Sequence, residues 1–277
     1  IEKELKSVLP KGIIKFNNED IVTSLSKLDG EKVNQDQAIK KAKKFIKNPQ
    51  TYNYKVISDE RVKIKEGKTV KTHLPAHSIK ANNKKDKDDI IYVDITKQGG
   101  NVIWLLNQRD TKNKKVSYKK AENEATKFLK QNGYANMVPV SSKSFNDIMI
   151  VSLAPLQNDV LIKPDSVSVQ VALDNGEIIG FNGVDYILHH KERSEDKLKP
   201  KLNLEEAKKK ISSNLKLKKE PQLTLVKRGN EEILCYEFIG VINEDTEDGM
   251  YKIMINAMDG KEEFVKSIDE DFYKNVG

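Results

Sequence analysis

The run Val167-Ser168-Val169-Gln170-Val171-Ala172-Leu173-Asp174-Asn175-Gly176-Glu177-Ile178-Ile179 decides the fold. Apolar and polar residues alternate up to Val171, a turn pair follows at Asn175-Gly176, and apolar residues resume at Ile178. Alternation directs every second side chain to one face of a strand, and Asn-Gly is the strongest short signal for a hairpin turn. Two other stretches repeat the pattern. Ile91-Tyr92-Val93-Asp94-Ile95 leads through Gly99-Gly100 to Val102-Ile103-Trp104. Tyr251-Lys252-Ile253-Met254-Ile255 leads through Asp259-Gly260 to Phe264-Val265. Three β-hairpins are therefore predicted.

Upstream of each hairpin lies a helix start of one kind. Val33-Asn34-Gln35-Asp36-Gln37-Ala38 is followed by Ala42, Phe45 and Ile46. Val116-Ser117-Tyr118-Lys119-Lys120-Ala121 is followed by Ala125, Phe128 and Leu129. Leu202-Asn203-Leu204-Glu205-Glu206-Ala207 is followed by Ile211 and Leu215. These spacings make one narrow apolar helix face. Asn34, Ser117 and Asn203 are suited to cap the first turn, and Gln37 and Glu206 complete a capping box that Lys120 cannot. The small residues Ala38, Ala121 and Ala207, spaced by 83 and then 86 residues, allow each helix to lie close on a sheet.

Further strands are predicted at Tyr54–Ile57 and Val62–Ile64, at Met137–Val140 and Ile148–Leu153, and at Leu223–Val226 and Ile233–Ile242. The reading is an α+β fold of three tandem repeats, each one helix on an antiparallel sheet of about four strands. The expected divisions are a lead-in at 1–32 carrying Ile13, Ile14 and Phe16, then repeats at 33–110, 115–193 and 200–277. Charged linkers fall at Arg109–Lys115 and Lys191–Lys201, and Val184–His190 reads as a short helix. Units of this size bury little surface alone, so packing between repeats is expected to contribute to their stability.

Composition narrows the function. The 277 residues include 49 Lys plus Arg against 42 Asp plus Glu, for a net charge of +7. Lysines interleave with acids along the whole chain, which reads as a solvated surface and not as a nucleic-acid-binding face. One cysteine excludes an internal disulfide and a multi-cysteine zinc site. No apolar run is long enough to span a membrane as a helix. The chain begins at Ile1 and not at Met, so a piece of a longer protein is expected, with any targeting or anchoring segment lying elsewhere.

Candidate chemistry is sparse. His73 and His77 have the i, i+4 spacing of helical metal ligands, but Pro75 lies between them in a segment read as strand and loop. His189 and His190 are adjacent and would point about 100° apart on a helix. Cys235 sits in the strand-like Ile233-Leu234-Cys235-Tyr236 and reads as a buried structural thiol. Asn243-Glu244-Asp245-Thr246-Glu247-Asp248-Gly249 superficially suggests a calcium loop, but its glycine is one position late and it lies between strands; a charged hairpin loop is the better reading. No Walker loop, dinucleotide fingerprint or Gly-x-Ser-x-Gly elbow occurs, and Trp104 alone gives little for stacking on sugars. No catalytic, cofactor-binding or metal-ligating residue is assigned, and no cofactor is expected.

The unit of helix, strands and final hairpin resembles the PepSY domain. The second repeat is more specific: Ala121 to Gly133-Tyr134, Pro164-Asp165-Ser166-Val167, Val171 to Phe181, Tyr186 and His190-Lys191-Glu192-Arg193 are together similar to the C-terminal region of the YpeB family of spore germination proteins. Pro200-Lys201-Leu202-Asn203-Leu204-Glu205-Glu206-Ala207 resembles that family too. The resemblance covers roughly residues 30–268.

The resemblance implies a protein with a membrane anchor in an N-terminal part outside this chain, acting at the extracytoplasmic face of the inner spore membrane. It implies a partner, the cortex-lytic enzyme SleB, which each family member stabilises and which in turn stabilises it. PepSY domains elsewhere occur in peptidase propeptides as inhibitors or chaperones. The expected function is thus non-enzymatic: to bind, stabilise or inhibit SleB in the dormant spore. The alternatives are a scaffold that binds spore cortex peptidoglycan and localises the enzyme, and, less favoured, an uncharacterised hydrolase.

Overall fold

The computed structural model describes residues 28–58, 62–65, 68–71, 74–242 and 249–268. In its first third, α1 (Gln35–Phe45) is followed by β1 (Tyr52–Ser58), a separate small hairpin of β2 (Val62–Lys65) and β3 (Lys68–Lys71), then β4 (Ala76–Asn83), β5 (Ile90–Thr96) and β6 (Val102–Asn107). In the second, α2 (Tyr118–Gln131) precedes β7 (Met137–Phe145), β8 (Ile148–Gln157), β9 (Val160–Ile162), β10 (Val167–Ala172), β11 (Ile178–Asn182) and the short helix α3 (Val184–His189). After α4 (Glu195–Leu198), the last third holds α5 (Leu204–Lys208), β12 (Lys216–Leu217), β13 (Gln222–Arg228), β14 (Glu231–Val241), β15 (Met250–Asn256) and β16 (Glu262–Ile268). The α+β class, with a helix laid on antiparallel strands three times over, is as the sequence predicts.

The helix caps follow the sequence closely. Asn34 Oδ1 accepts from the Gln37 amide at 2.9 Å and Gln37 Oε1 accepts from the Asn34 amide at 2.9 Å. Asn203 and Glu206 form the same box, whereas Ser117 caps Lys120 without one. α5 stops early, at Lys208. Beyond it Ser212 Oγ accepts from the Asn214 amide, an alternative to helical bonding that such residues offer. Ile211 and Leu215 still reach the core, from turns.

One reading of the first repeat needs correction. Its fourth main-sheet strand is β4, which bonds β1 on one side and β5 on the other. Val62–Ile64, given that place from the sequence, lies instead in the separate two-stranded hairpin. The run Ala-His-Ser-Ile-Lys-Ala-Asn-Asn of β4 is too polar to advertise a central strand. The lead-in residues Ile13, Ile14 and Phe16 lie outside the described residues.

Among the described residues, fourteen strands join into one sheet in the order β1-β4-β5-β6-β11-β10-β8-β9-β13-β14-β15-β16, with β7 added to β8 and β12 to β14. All three final hairpins carry the same irregularity, a register shift between Asp94 and Ile95, Gln170 and Val171, and Met254 and Ile255. Past it, Val93 faces Leu105, Val169 faces Phe181, and Ile253 faces Val265. The Asn175-Gly176 turn is a longer loop than the two-residue form. The Gly176 amide bonds Ala172 O, and Gly176 takes φ +80°, which a side chain would strain.

Two main cores result. One runs without a break through the first two repeats, from Ala38 and Ala42 to Val169 and Phe181. The other centres on Phe238, Ile255 and Ala207 of the third and takes in Val160 and Ile162 from β9 of the second.

Candidate functional site

The first and second repeats meet through apolar contact. β6 and β11 pair antiparallel, with α1 packed on the neighbouring β4 and β5 and α2 on β10 and β11. Phe45 and Phe128, each seven residues after the buried Ala38 and Ala121, meet edge-on at 5.5 Å between centroids. Both pack on Phe181, at 5.4 and 6.1 Å. Tyr134 and Tyr186 extend the cluster. Arg109, which the sequence places in a charged linker, is clamped across it: its guanidinium donates to both Asp174 oxygens at 2.9 and 3.0 Å and to Glu177 at 3.1 Å.

The second and third repeats meet through buried charge beside a small apolar contact, Val160 and Ile162 of β9 in the third core. The chain leaves α3 and buries Arg193, which is 3% exposed. Arg193 forks onto Asp165 at 2.6 and 2.7 Å and donates to Glu232 of β14 at 2.7 Å. His190 Nδ1 lies 2.7 Å from Asp165, with its ring stacked on Tyr186 at 4.1 Å. Burial alone would raise the Asp165 carboxyl, but the bonds from His190 and Arg193 outweigh it and hold the group below its ordinary 3.8. Glu232 is likewise held below 4.5, mainly by Arg193 against its own burial. A second link joins Lys163 to the buried Glu237, with Lys252 at 3.5 Å. Glu237 is held below 4.5 because the two lysines outweigh its burial. Backbone continuity is thin here: β9 pairs parallel to β13 through Leu161–Thr224 and Ile162–Leu225.

On the second repeat's sheet a cleft of about 310 Å³ opens, lined by Ser141, Ser152, Ser166, Ser168, Asn182 and Asp185 among others. Ser152 and Ser168 face each other across β8 and β10, between the core-facing positions Val151, Leu153, Val167 and Val169, so they look away from α2. Burial raises the Asp185 carboxyl above 3.8. The hydroxyls and the amide can donate to or accept from a peptide or a glycan.

The sequence candidates fall as follows. His77 lies on β4, buried, with Nε2 2.7 Å from Val33 O, where it ties the start of the first repeat to the sheet. His73 lies outside the described residues. No group of three or more His, Cys, Asp or Glu that could hold a metal occurs among the described residues. His189 Nδ1 meets the Asp185 carbonyl at 3.0 Å. Cys235 is buried in β14 and burial pushes its thiol up to about 12, so it stays protonated. Trp104 donates to Asp94 at 2.8 Å. Of the loop at 243–249, residues 243–248 lie outside the described residues. Among the described residues no helix is long and apolar enough to cross a membrane.

Sequence reasoning missed the clamp at Arg193. A usable signal existed: the chain carries only four arginines, at 61, 109, 193 and 228, against a lysine-rich surface. Arg forms forked buried pairs that Lys cannot. Arg109 and Arg193 fork onto carboxylates, whereas Arg228 is exposed with a single bond to Glu263, so rarity narrows the candidates and the fold decides among them.

This architecture defines the chain as a tandem array of PepSY-like modules, strung edge to edge. A family profile described as YpeB sporulation, PepSY1 and PepSY2 domains matches residues 3–196, and the chain belongs to that family. It is 32% identical over 91% of its length to the sporulation protein YpeB of Bacillus subtilis, and 38% identical over 65% to that of Halalkalibacterium halodurans. It spans 53% and 39% of those two relatives' lengths, about half. A solved structure, the Bacillus megaterium YpeB C-terminal domain, superposes with a TM-score of 0.72 at 32% identity, covering 87% of this chain and all of that one.

Proposed function

We propose that this chain is a non-enzymatic binding module of spore germination, which binds the cortex-lytic enzyme SleB and stabilises or restrains it in the dormant spore. One observation carries this reading. The buried Asp165, Arg193 and Glu237, with the partly buried Glu232 and Lys163, are engaged in joining one module to the next. The buried Asp94 and Glu122 bond Trp104 and Ser142 within their own modules. None of these groups assembles into a nucleophile with its base or a poised acid–base pair. What the molecule presents outward is a long sheet with a hydroxyl-lined cleft in its middle module. A binder of the folded enzyme alone stabilises it by mass action. The site of action in this reading is the extracytoplasmic face of the inner spore membrane, with the anchor supplied by the remainder of the protein.

The test is binding of the purified chain to a SleB-type enzyme, with cortex hydrolysis followed in the same samples. Binding with reduced hydrolysis makes it an inhibitor, and binding with unchanged hydrolysis makes it a stabiliser or positioner. Absence of binding overturns the assignment for this part of the protein. The net charge of +7 favours one second reading, a scaffold on anionic cortex peptidoglycan. Pull-down with cortex fragments in the absence of enzyme separates the two.

A further inference from the structure

Each module ends in an equivalent strand, but the three strands have different fates. β6 and β11 pair with each other, whereas β16 has β15 on one side and, among the described residues, no strand on the other. The shared register shift makes Leu105, Phe181 and Val265 equivalent positions. At the internal junction Leu105 faces Phe181, Trp104 faces Asn182 and Leu106 faces Gly180. One step back on either strand meets one step forward on the other. The junction therefore has an approximate two-fold axis through the Leu105–Phe181 pair. A two-fold contact between equivalent edges is self-complementary, the kind two identical strands can make.

β16 is the third copy of that edge, and between the charged residues Glu262, Glu263 and Lys266 that an open edge ordinarily carries it also exposes two large apolar side chains. Val265 is 48% exposed and Phe264 44% exposed. Val265 lies on the face that carries the helix layer, because Ile253 opposite it belongs to the third core.

We propose that β16 pairs antiparallel with β16 of a second copy of this chain, centred on Val265, repeating between molecules the junction that β6 and β11 make within one. In that register Phe264 would lie across from Lys266 of the partner subunit, and Glu263 across from Ser267 of the partner subunit. No like charges then stand directly opposite, and the lysine stem can cover the aromatic ring. The helix layer contributes less than it does inside the chain. The position seven residues after Ala207 is Asn214, where the first two modules have Phe45 and Phe128. The dimer is accordingly weaker than the internal junction and separates on dilution.

The test is sedimentation velocity on the full chain across a concentration series, with Val265→Lys and Val265→Glu variants. Expected is a mass that rises toward twice 31.5 kDa with concentration. Each variant alone should stay at the monomer mass with wild-type far-UV circular dichroism. An equimolar mixture should recover the dimer, because the axis places the lysine of one copy against the glutamate of the other. Recovery in the mixture also shows that both variants fold. A wild-type chain that stays monomeric at its highest soluble concentration overturns the proposal. So does a V265K chain that dimerises as well as wild type, and so does a monomeric wild type whose V265K form loses only the binding of a different protein.

Discussion

The two internal junctions join modules of one kind with different balances of apolar contact and charge. Between the first and second modules, Phe45, Phe128 and Phe181 close a shared core that continues from one module into the next. Between the second and third, only Val160 and Ile162 of β9 enter the third core, and a forked Arg193 holds Asp165 and Glu232 across the rest of the junction. Apolar contact is non-directional and grows with area, so the first junction fuses two units into one. A buried ion pair recovers little net energy after desolvation, but it is costly to break on one side. The second junction thus fixes an orientation more than it adds stability. The expected behaviour is a stable block of two modules with a third that can part from it.

Phe181→Ala is the strongest way to break this comparison. Removing a 3%-exposed ring at the centre of the shared core should cost about 4 kcal/mol. The single tryptophan, Trp104, sits on β6 beside this junction and reports on it. Urea unfolding followed by Trp104 fluorescence should shift strongly in F181A. A small shift would mean that the two modules are not one cooperative unit.

Arg193→Ala attacks the other junction. It leaves the buried Asp165 with only His190 and the partly buried Glu232 with only Lys191, at a cost of about 3 kcal/mol. Its signature differs from that of F181A: the transition seen by circular dichroism should split, while the Trp104 transition stays near its wild-type midpoint. Coincident shifts in both probes would show that the ionic junction is coupled to the aromatic one.

Acidification should do the same without mutation. Asp165, Glu232 and Glu237 are all held below their ordinary values of 3.8, 4.5 and 4.5. A carboxyl depressed in the folded state contributes stability that is complete above its unfolded value and is lost as pH falls through its folded one. The third module should therefore loosen from about pH 4.5 downward, with Trp104 emission changing later than circular dichroism, because the aromatic core holds the first junction even as Asp174, which Arg109 keeps below 3.8, is protonated. Simultaneous change would remove the distinction.

How much of this was legible depends on what carried it. The repeats were plain because alternation and helical spacing are local, and each module states both in full, down to which two of the three caps are boxes. β4 escaped because a central strand of Ala, Lys and Asn owes its place to neighbours, not to its own pattern. The fusion of the first two cores was present in Phe45, Phe128 and Phe181, but a helix-face aromatic looks the same whether it packs within its module or beyond it. The ionic junction looked like a charged linker for the same reason. Charge is read as solvated by default, and only a folded chain shows that Arg193 has left water.

The smallest test compares the caps. Asn34→Ala and Asn203→Ala each remove a side-chain acceptor from a boxed helix start and should cost about 1 kcal/mol. The two helices do not depend on their caps equally. α1 has eleven residues, so fraying its first turn leaves most of its face on the sheet. α5 has five, and its buried Ala207 lies within reach of any fraying that begins at Asn203. N203A should therefore cost at least as much as N34A and should act on circular dichroism while sparing Trp104. If N34A proves the costlier, α5 is held by its contact with the third core and not by its cap, and the third module is less separable than its short helix and ionic junction imply.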